Sequence, residues 1–127
     1  WMHISKPLPE MRIALVTTAG IHLRGDPSFE FADATFRPIS VEDGDDLIMS
    51  HSSVNFNKTG FTDDINVVFP IDRFKELVSQ GEIGSLAKIH YSFMGAGLLP
   101  NAYEFNASEV ARLLKQDKVD AVFLTPV

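Results

Sequence analysis

Apolar and polar positions fall into distinct blocks along this chain. Residues 12–18 (RIALVTT) are almost continuously apolar or β-branched and run into the turn signal Ala19-Gly20. An apolar run that enters a glycine turn predicts a central parallel strand covered on both faces. Residues 88–94 (KIHYSFM) repeat the pattern and stop at Gly95-Ala96-Gly97. Residues 119–127 (VDAVFLTPV) give it a third time and read as a buried strand.

Between these runs the period changes. Over residues 70–80, Ile71, Phe74, Leu77 and Val78 form one apolar stripe at helical spacing. Pro70 stands where a first helical turn accepts it, and Gly81 ends the segment. A second helix is predicted from Asn106, whose side chain can cap the first turn together with Glu109 three residues on. Val110, Leu113 and Leu114 would be its buried face.

The remaining segments are less regular. Residues 1–11, with Pro7 and Pro9, read as an extended arm, and residues 24–33 as a loop. Residues 34–40 and 47–50 read as two short strands joined by the acidic turn Glu42-Asp43-Gly44-Asp45-Asp46. Pro38 assigns the first of them to a sheet edge, because it has no N–H for a second neighbour. Residues 51–64 are polar, carry Asn55, Asn57 and Gly60, and read as one long loop. The order of elements predicts an α/β fold. Its core is a parallel sheet in a three-layer arrangement, with flanking helices and a small β-hairpin insert, all in one domain over residues 1–127.

Composition narrows the function classes. Of the 127 residues, 45% are hydrophobic and 22% charged, which suits a packed core rather than a disordered tail. Eleven Lys and Arg face 17 Asp and Glu, a net charge of −6 without a basic run, which argues against nucleic-acid binding. No apolar run approaches the roughly 20 residues of a bilayer span, so no membrane role is expected. With no cysteine, the chain itself offers no thiolate nucleophile, disulfide or zinc–thiolate site. The start of the chain shows no basic segment followed by an apolar one, so a cytoplasmic location is the default expectation. The chain opens on Trp1 and closes at the tip of a strand, and both ends look cut.

Ligands of open α/β sheets lie beyond the carboxyl ends of the strands. That rule singles out residues 17–22, with Thr17, Thr18 and His22; residues 94–97, with Met94; and residues 125–127, with Thr125. Their tips should meet if the three strands share a sheet. Gly95-x-Gly97 lacks the third glycine of a dinucleotide fingerprint, because position 100 is Pro, so a plain turn is the simpler reading.

His22 and His51 each follow a strand, where an imidazole could shuttle protons or serve structure. His3 falls in the arm, facing solvent, and His90 inside a strand, packed or hydrogen-bonded. Asp63, Asp64 and Asn66 precede the first helix and suit capping. Asp64 could also pair with His51. Arg73, on the first helical turn, could hold a substrate carboxylate or a surface carboxylate. The Ser50-His51-Ser52-Ser53 cluster is too generic to define a serine nucleophile. No metal-ligand spacing is present.

Several stretches, in order, carry a family resemblance. They are Lys6-Pro7-Leu8 with residues 12–23 (RIALVTTAGIHL); Ser50-His51; residues 64–73 (DINVVFPIDR); residues 81–86 (GEIGSL); residues 92–95 (SFMG); and residues 119–126. Together they resemble the N-terminal half of the glycine/sarcosine/betaine reductase selenoprotein B family. The resemblance implies a selenocysteine or cysteine immediately after Val127, with a second cysteine three positions on, so that no catalytic residue lies within the chain itself. It implies reductive cleavage of a C–N bond α to a carboxylate, in D-proline or a glycine derivative. A pyruvoyl group on a partner subunit would form a Schiff base with this small amino-acid substrate, the selenolate would attack the α-carbon, and an electron-donor protein would reduce the selenide–sulfide. Thr17, Thr18, His22, Met94 and Thr125 would then line the pocket, with His51, Asp64 and Arg73 reaching it from the loop. No cofactor is expected in this chain, and alone it should be inactive. A non-catalytic α/β binding or assembly module, or half of a racemase-like enzyme, are the alternatives.

Overall fold

A computed structural model of the protein describes residues 5–42, 46–53 and 58–127. Its centre is β1 (Arg12–Thr17), buried at Ile13, Ala14, Leu15 and Thr17. Fully burying a side chain such as Leu15 contributes about 2 kcal/mol, and Leu15 is wholly buried at the centre of the sheet. Five strands form that sheet. On one edge of β1 lie, in parallel, β5 (Ser85–Leu86) against Arg12 and Ile13, and β6 (Ile89–Phe93) against Val16 and Thr17. On the other edge β7 (Ala121–Thr125) runs parallel, in register from Ile13↔Ala121 to Thr17↔Thr125. Outside β6 lies β3 (Phe36–Ser40), antiparallel, with Pro38 opposite Tyr91 at the edge position its missing N–H demands.

Helices cover both faces. The stripe predicted over residues 70–80 is α2 (Ile71–Ser79), and Gly81 follows it at φ +75°. Phe74, Leu77 and Val78 pack with Met11, Ile13 and Ile83. Across the sheet, α3 (Glu104–Gln116) lays Val110, Leu113 and Leu114 on Val16, Tyr91 and Phe93. The result is the expected α/β layering.

Five local expectations are corrected. Residues 34–40 and 47–50 do not pair with each other: β4 (Leu47–Met49) pairs antiparallel with β2 (Ile21–Leu23), and together they make the small hairpin sheet. Three residues are too few for an alternating pattern to reveal β2. The 51–64 loop contains a short helix, α1 (Thr59–Asp63). The second long helix starts at Glu104, so Asn106 sits inside it and caps nothing. Pro100 has already begun a 3₁₀ turn, Pro100–Tyr103, that feeds the helix. In the arm, Leu8–Glu10 is a 3₁₀ turn and Lys6 bonds Asp120 at 2.8 Å. Finally, β7 is an edge strand, with Val122, Phe123 and Leu124 39%, 43% and 66% exposed. His3, Asn55, Asn57 and the turn residues 43–45 lie outside the described residues.

Candidate active site

The three strand tips do converge. The Thr18 N–H donates to the Thr125 carbonyl at 3.1 Å, and the Gly95 N–H to the Thr18 carbonyl at 3.0 Å. The Thr18 Oγ1 accepts the Val127 N–H at 2.9 Å. Thr18 is therefore the point at which β1, β7 and the turn after β6 are tied together. A Cβ on Gly95 would stand 2.8 Å from the Thr18 Cβ and 2.9 Å from its carbonyl oxygen, so only glycine permits this approach.

Beside this knot opens a cleft of about 410 Å³, lined by Thr18, Phe93, Gly95, Leu98, Pro100, Tyr103 and Ala107. Tyr103 is fixed over it by donating its hydroxyl to the Met94 carbonyl at 2.6 Å. Burial, and then the nearby Asp33 charge, hold its phenol above the usual tyrosine range. Among the described residues, no carboxylate, imidazole or cationic side chain lines the cleft. It can receive an apolar or ring-shaped group, and the lining supplies no acid or base of its own.

The other predicted residues divide. Thr125 belongs to the knot. Thr17 is wholly buried: its Oγ1 donates to the Val68 carbonyl at 2.9 Å and accepts the Ala19 N–H at 3.1 Å, which ties β1 to the segment before α2. Met94 is also wholly buried, with Ser52 Oγ 3.4 Å from its sulfur. Both support the tips from below.

His22 lies inside β2, fully buried. Its ring nitrogens bond the Leu23 carbonyl and Ser50 Oγ, each at 2.7 Å. A carbonyl can only accept, so Nδ1 donates to Leu23. His51 is buried against Gly20, and its Nδ1 accepts the Ser53 N–H at 3.1 Å. Burial, then the Lys58 charge, push its pKa below the usual histidine value. Asp64 bonds Asn66 rather than His51, capping the 3₁₀ turn Ile65–Val67. Arg73 pairs with Glu76 at 2.9 Å in solvent.

Leu98 and Tyr103 were not anticipated from the sequence. Their only signal is their position in the turn after a strand, next to a glycine that must approach Thr18.

A family model, glycine/sarcosine/betaine reductase selenoprotein B, matches residues 3–127. The chain belongs to this family. Among curated members, it is 39% identical to the D-proline reductase subunit gamma of Acetoanaerobium sticklandii over 98% of its own length and 52% of that protein. It is 36% identical to the glycine reductase complex component B subunit gamma of Symbiobacterium thermophilum over 94% of its length and 29% of the relative. It is 29% identical to the betaine reductase complex component B subunit beta of Peptoclostridium acidaminophilum, again over 94% and 29%. Within the selenoprotein B family, then, the chain spans about half of the D-proline reductase subunit, matching its N-terminal half, and less than a third of the other two. No solved structure gives a significant match. Among the described residues, no helix is long and apolar enough to cross a membrane.

Proposed function

We propose that the chain is the N-terminal half of a reductase subunit that cleaves a C–N bond α to a carboxylate, with D-proline as the favoured substrate. The observation that carries this reading is the 39% identity to a D-proline reductase subunit over nearly the whole chain. The geometry supports it, because β7 delivers whatever follows Val127 to the mouth of the cleft beside Thr18. A selenocysteine or cysteine there would sit at a strand tip, where such nucleophiles are commonly presented.

In this reading the selenolate displaces the amine from the α-carbon, forming a C–Se bond and breaking C–N. A cysteine thiolate then attacks selenium, and the carbon takes the bonding electron pair with a proton. Two electrons and two protons from an electron-donor protein return the selenide–sulfide to selenol and thiol. A pyruvoyl group on a partner subunit would activate the substrate amine. Within this chain, Thr18 and Gly95 hold the strand tip, and Phe93, Leu98 and Tyr103 exclude water around the substrate's carbon skeleton.

The test is the subunit purified from its native source with its partners. Its intact mass and selenium content are measured, and it is assayed with D-proline and with glycine derivatives. Ring opening of D-proline keeps the amine in the product, whereas the glycine derivatives release it. One selenium or cysteine just past Val127, with ring opening of D-proline, is the expected result. A polypeptide with neither residue there overturns the reading and leaves a non-catalytic module of the complex.

A further inference from the structure

The β7 strand is apolar on both faces yet, among the described residues, has a neighbouring strand on one edge only. Its register with β1 places Phe123 on the α2 face, beside Phe74 at 5.0 Å between ring centroids, and Val122 and Leu124 on the α3 face. Thr125 bonds inward to Thr18. Bonding groups alternate along a parallel strand, so the N–H and C=O groups of Val122 and Leu124 point away from β1. Among the described residues no strand pairs with that edge.

An apolar edge of this kind, without a charge, a proline or a bulge between Ala121 and Thr125, is a template for another strand. The chain spans 52% of the D-proline reductase subunit and 29% of the glycine reductase subunit, so such subunits carry further polypeptide with which to fill it. We propose that the outer edge of β7 seats a parallel strand from that further polypeptide, with its crossover helix on the Val122–Leu124 face beside α3.

The face follows from handedness. The connection β6–α3–β7 moves across the sheet from β6 past β1 to β7 with α3 on the Val16 face. A next strand beyond β7 continues in the same direction. Crossovers are right-handed in nearly all cases, so its helix falls on the same face as α3. There it covers Leu124, the most exposed residue of the strand. On the opposite face Phe123 meets the Phe74 ring at 5.0 Å and lines a cavity of about 400 Å³ with Leu8 and Leu77. This inference rests on the reading of the chain as the N-terminal part of a longer subunit, and not on the proposed chemistry.

Amide hydrogen exchange on the subunit expressed from the complete gene tests it. The Phe123 amide faces β1 and is the internal control. In that subunit, the Val122 and Leu124 amides should exchange about 100-fold or more slowly than unstructured amides, approaching the Phe123 amide. Leu124→Lys should lower the Tm of the complete subunit by several degrees. Rapid exchange at Val122 and Leu124 in the longer subunit, with Phe123 still protected, overturns the proposal. Protection that grows with protein concentration would assign the edge to a second copy, and protection that requires an added partner subunit would assign it to that partner. Either result also overturns the proposal, as does a gene encoding nothing beyond this chain.

Discussion

The Nδ1 of His90 accepts the backbone N–H of Leu15 at 3.0 Å, in the middle of the sheet. The two strands on that edge of β1 leave a gap: β5 pairs with Arg12 and Ile13, and β6 resumes at Val16. His90 fills it with a side chain, so a buried amide that would otherwise lack a partner is satisfied. Phe69 meets the ring edge-on at 5.7 Å between centroids. This bond requires a neutral ring. Burial, opposed weakly by Asp117 and reinforced by Lys75, pushes the His90 pKa down to about 4.

The pH dependence follows from linkage. Unfolded His90 titrates near 6.5, so between pH 6.5 and 4 the unfolded chain binds more protons than the folded one. Stability from this group is complete above pH 6.5 and is lost as pH falls through that window, by about 3 kcal/mol in total. His90→Asn keeps an acceptor near Nδ1 but cannot titrate, so urea unfolding at several pH values should show a shallower acid slope than the wild type. His90→Ala strands the Leu15 N–H and opens a cavity, with an expected cost of about 2–4 kcal/mol at pH 7. Equal acid slopes in wild type and His90→Asn would refute the assignment.

Gly95 and Gly25 make a paired prediction. Gly95→Ala forces a methyl to within 3 Å of the Thr18 backbone, which cannot yield without moving β1. The expected cost is about 1–3 kcal/mol, with loosening of the strand tips. Nothing lies within 4 Å of a Cβ built on Gly25, so Gly25→Ala should change stability by less than about 0.5 kcal/mol. Thermal melts of the two variants decide the matter.

The strands β1, β6 and β7 and the helix α2 announced themselves, because apolar runs and a Pro–Gly frame carry local information. The β2 strand did not: its burial depends on His22 meeting Ser50, 28 positions away. The start of α3 was misplaced because Pro100 opens a turn before Asn106 is reached. The apolar content of β7 suggests burial, yet composition reports that a strand needs cover and not which neighbours supply it. Of the residues the strand-tip rule names, Thr18 and Thr125 lie where β1, β7 and the turn after β6 converge. Thr17 and Met94 obey the same rule but face inward, an orientation set by side-chain alternation together with the position of α2. Tyr103 and Leu98 come from a turn whose path no local pattern specifies.

Thr17 separates bonding from bulk. Thr17→Val preserves shape but leaves the Val68 carbonyl and the Ala19 N–H without their partner in a fully buried setting. A loss of about 1–3 kcal/mol is expected. Thr17→Ser keeps both bonds and should lose about 1 kcal/mol, for one methyl group. Chemical denaturation that ranked serine below valine would show that packing, not the hydroxyl, matters here.

Thr18 makes the sharpest link between fold and proposed chemistry. Its hydroxyl accepts the Val127 N–H at 2.9 Å at a partly exposed site, so little stability depends on it. Thr18→Val should therefore shift unfolding by less than about 1 kcal/mol. In the complete reductase it should do much more, because it frees the backbone just before the proposed nucleophile. A displacement of about 1 Å there can reduce turnover by up to about 100-fold. The expected signature is a fall in kcat of tenfold or more at nearly constant KM (~1.4 kcal/mol in the barrier). Thr18→Ser, which retains the oxygen, should restore turnover to within about threefold of the wild type, roughly 0.7 kcal/mol by the same relation. A fall in stability that tracked the fall in kcat across both variants would reduce Thr18 to a structural residue. An unchanged kcat in Thr18→Val would remove it from the site altogether.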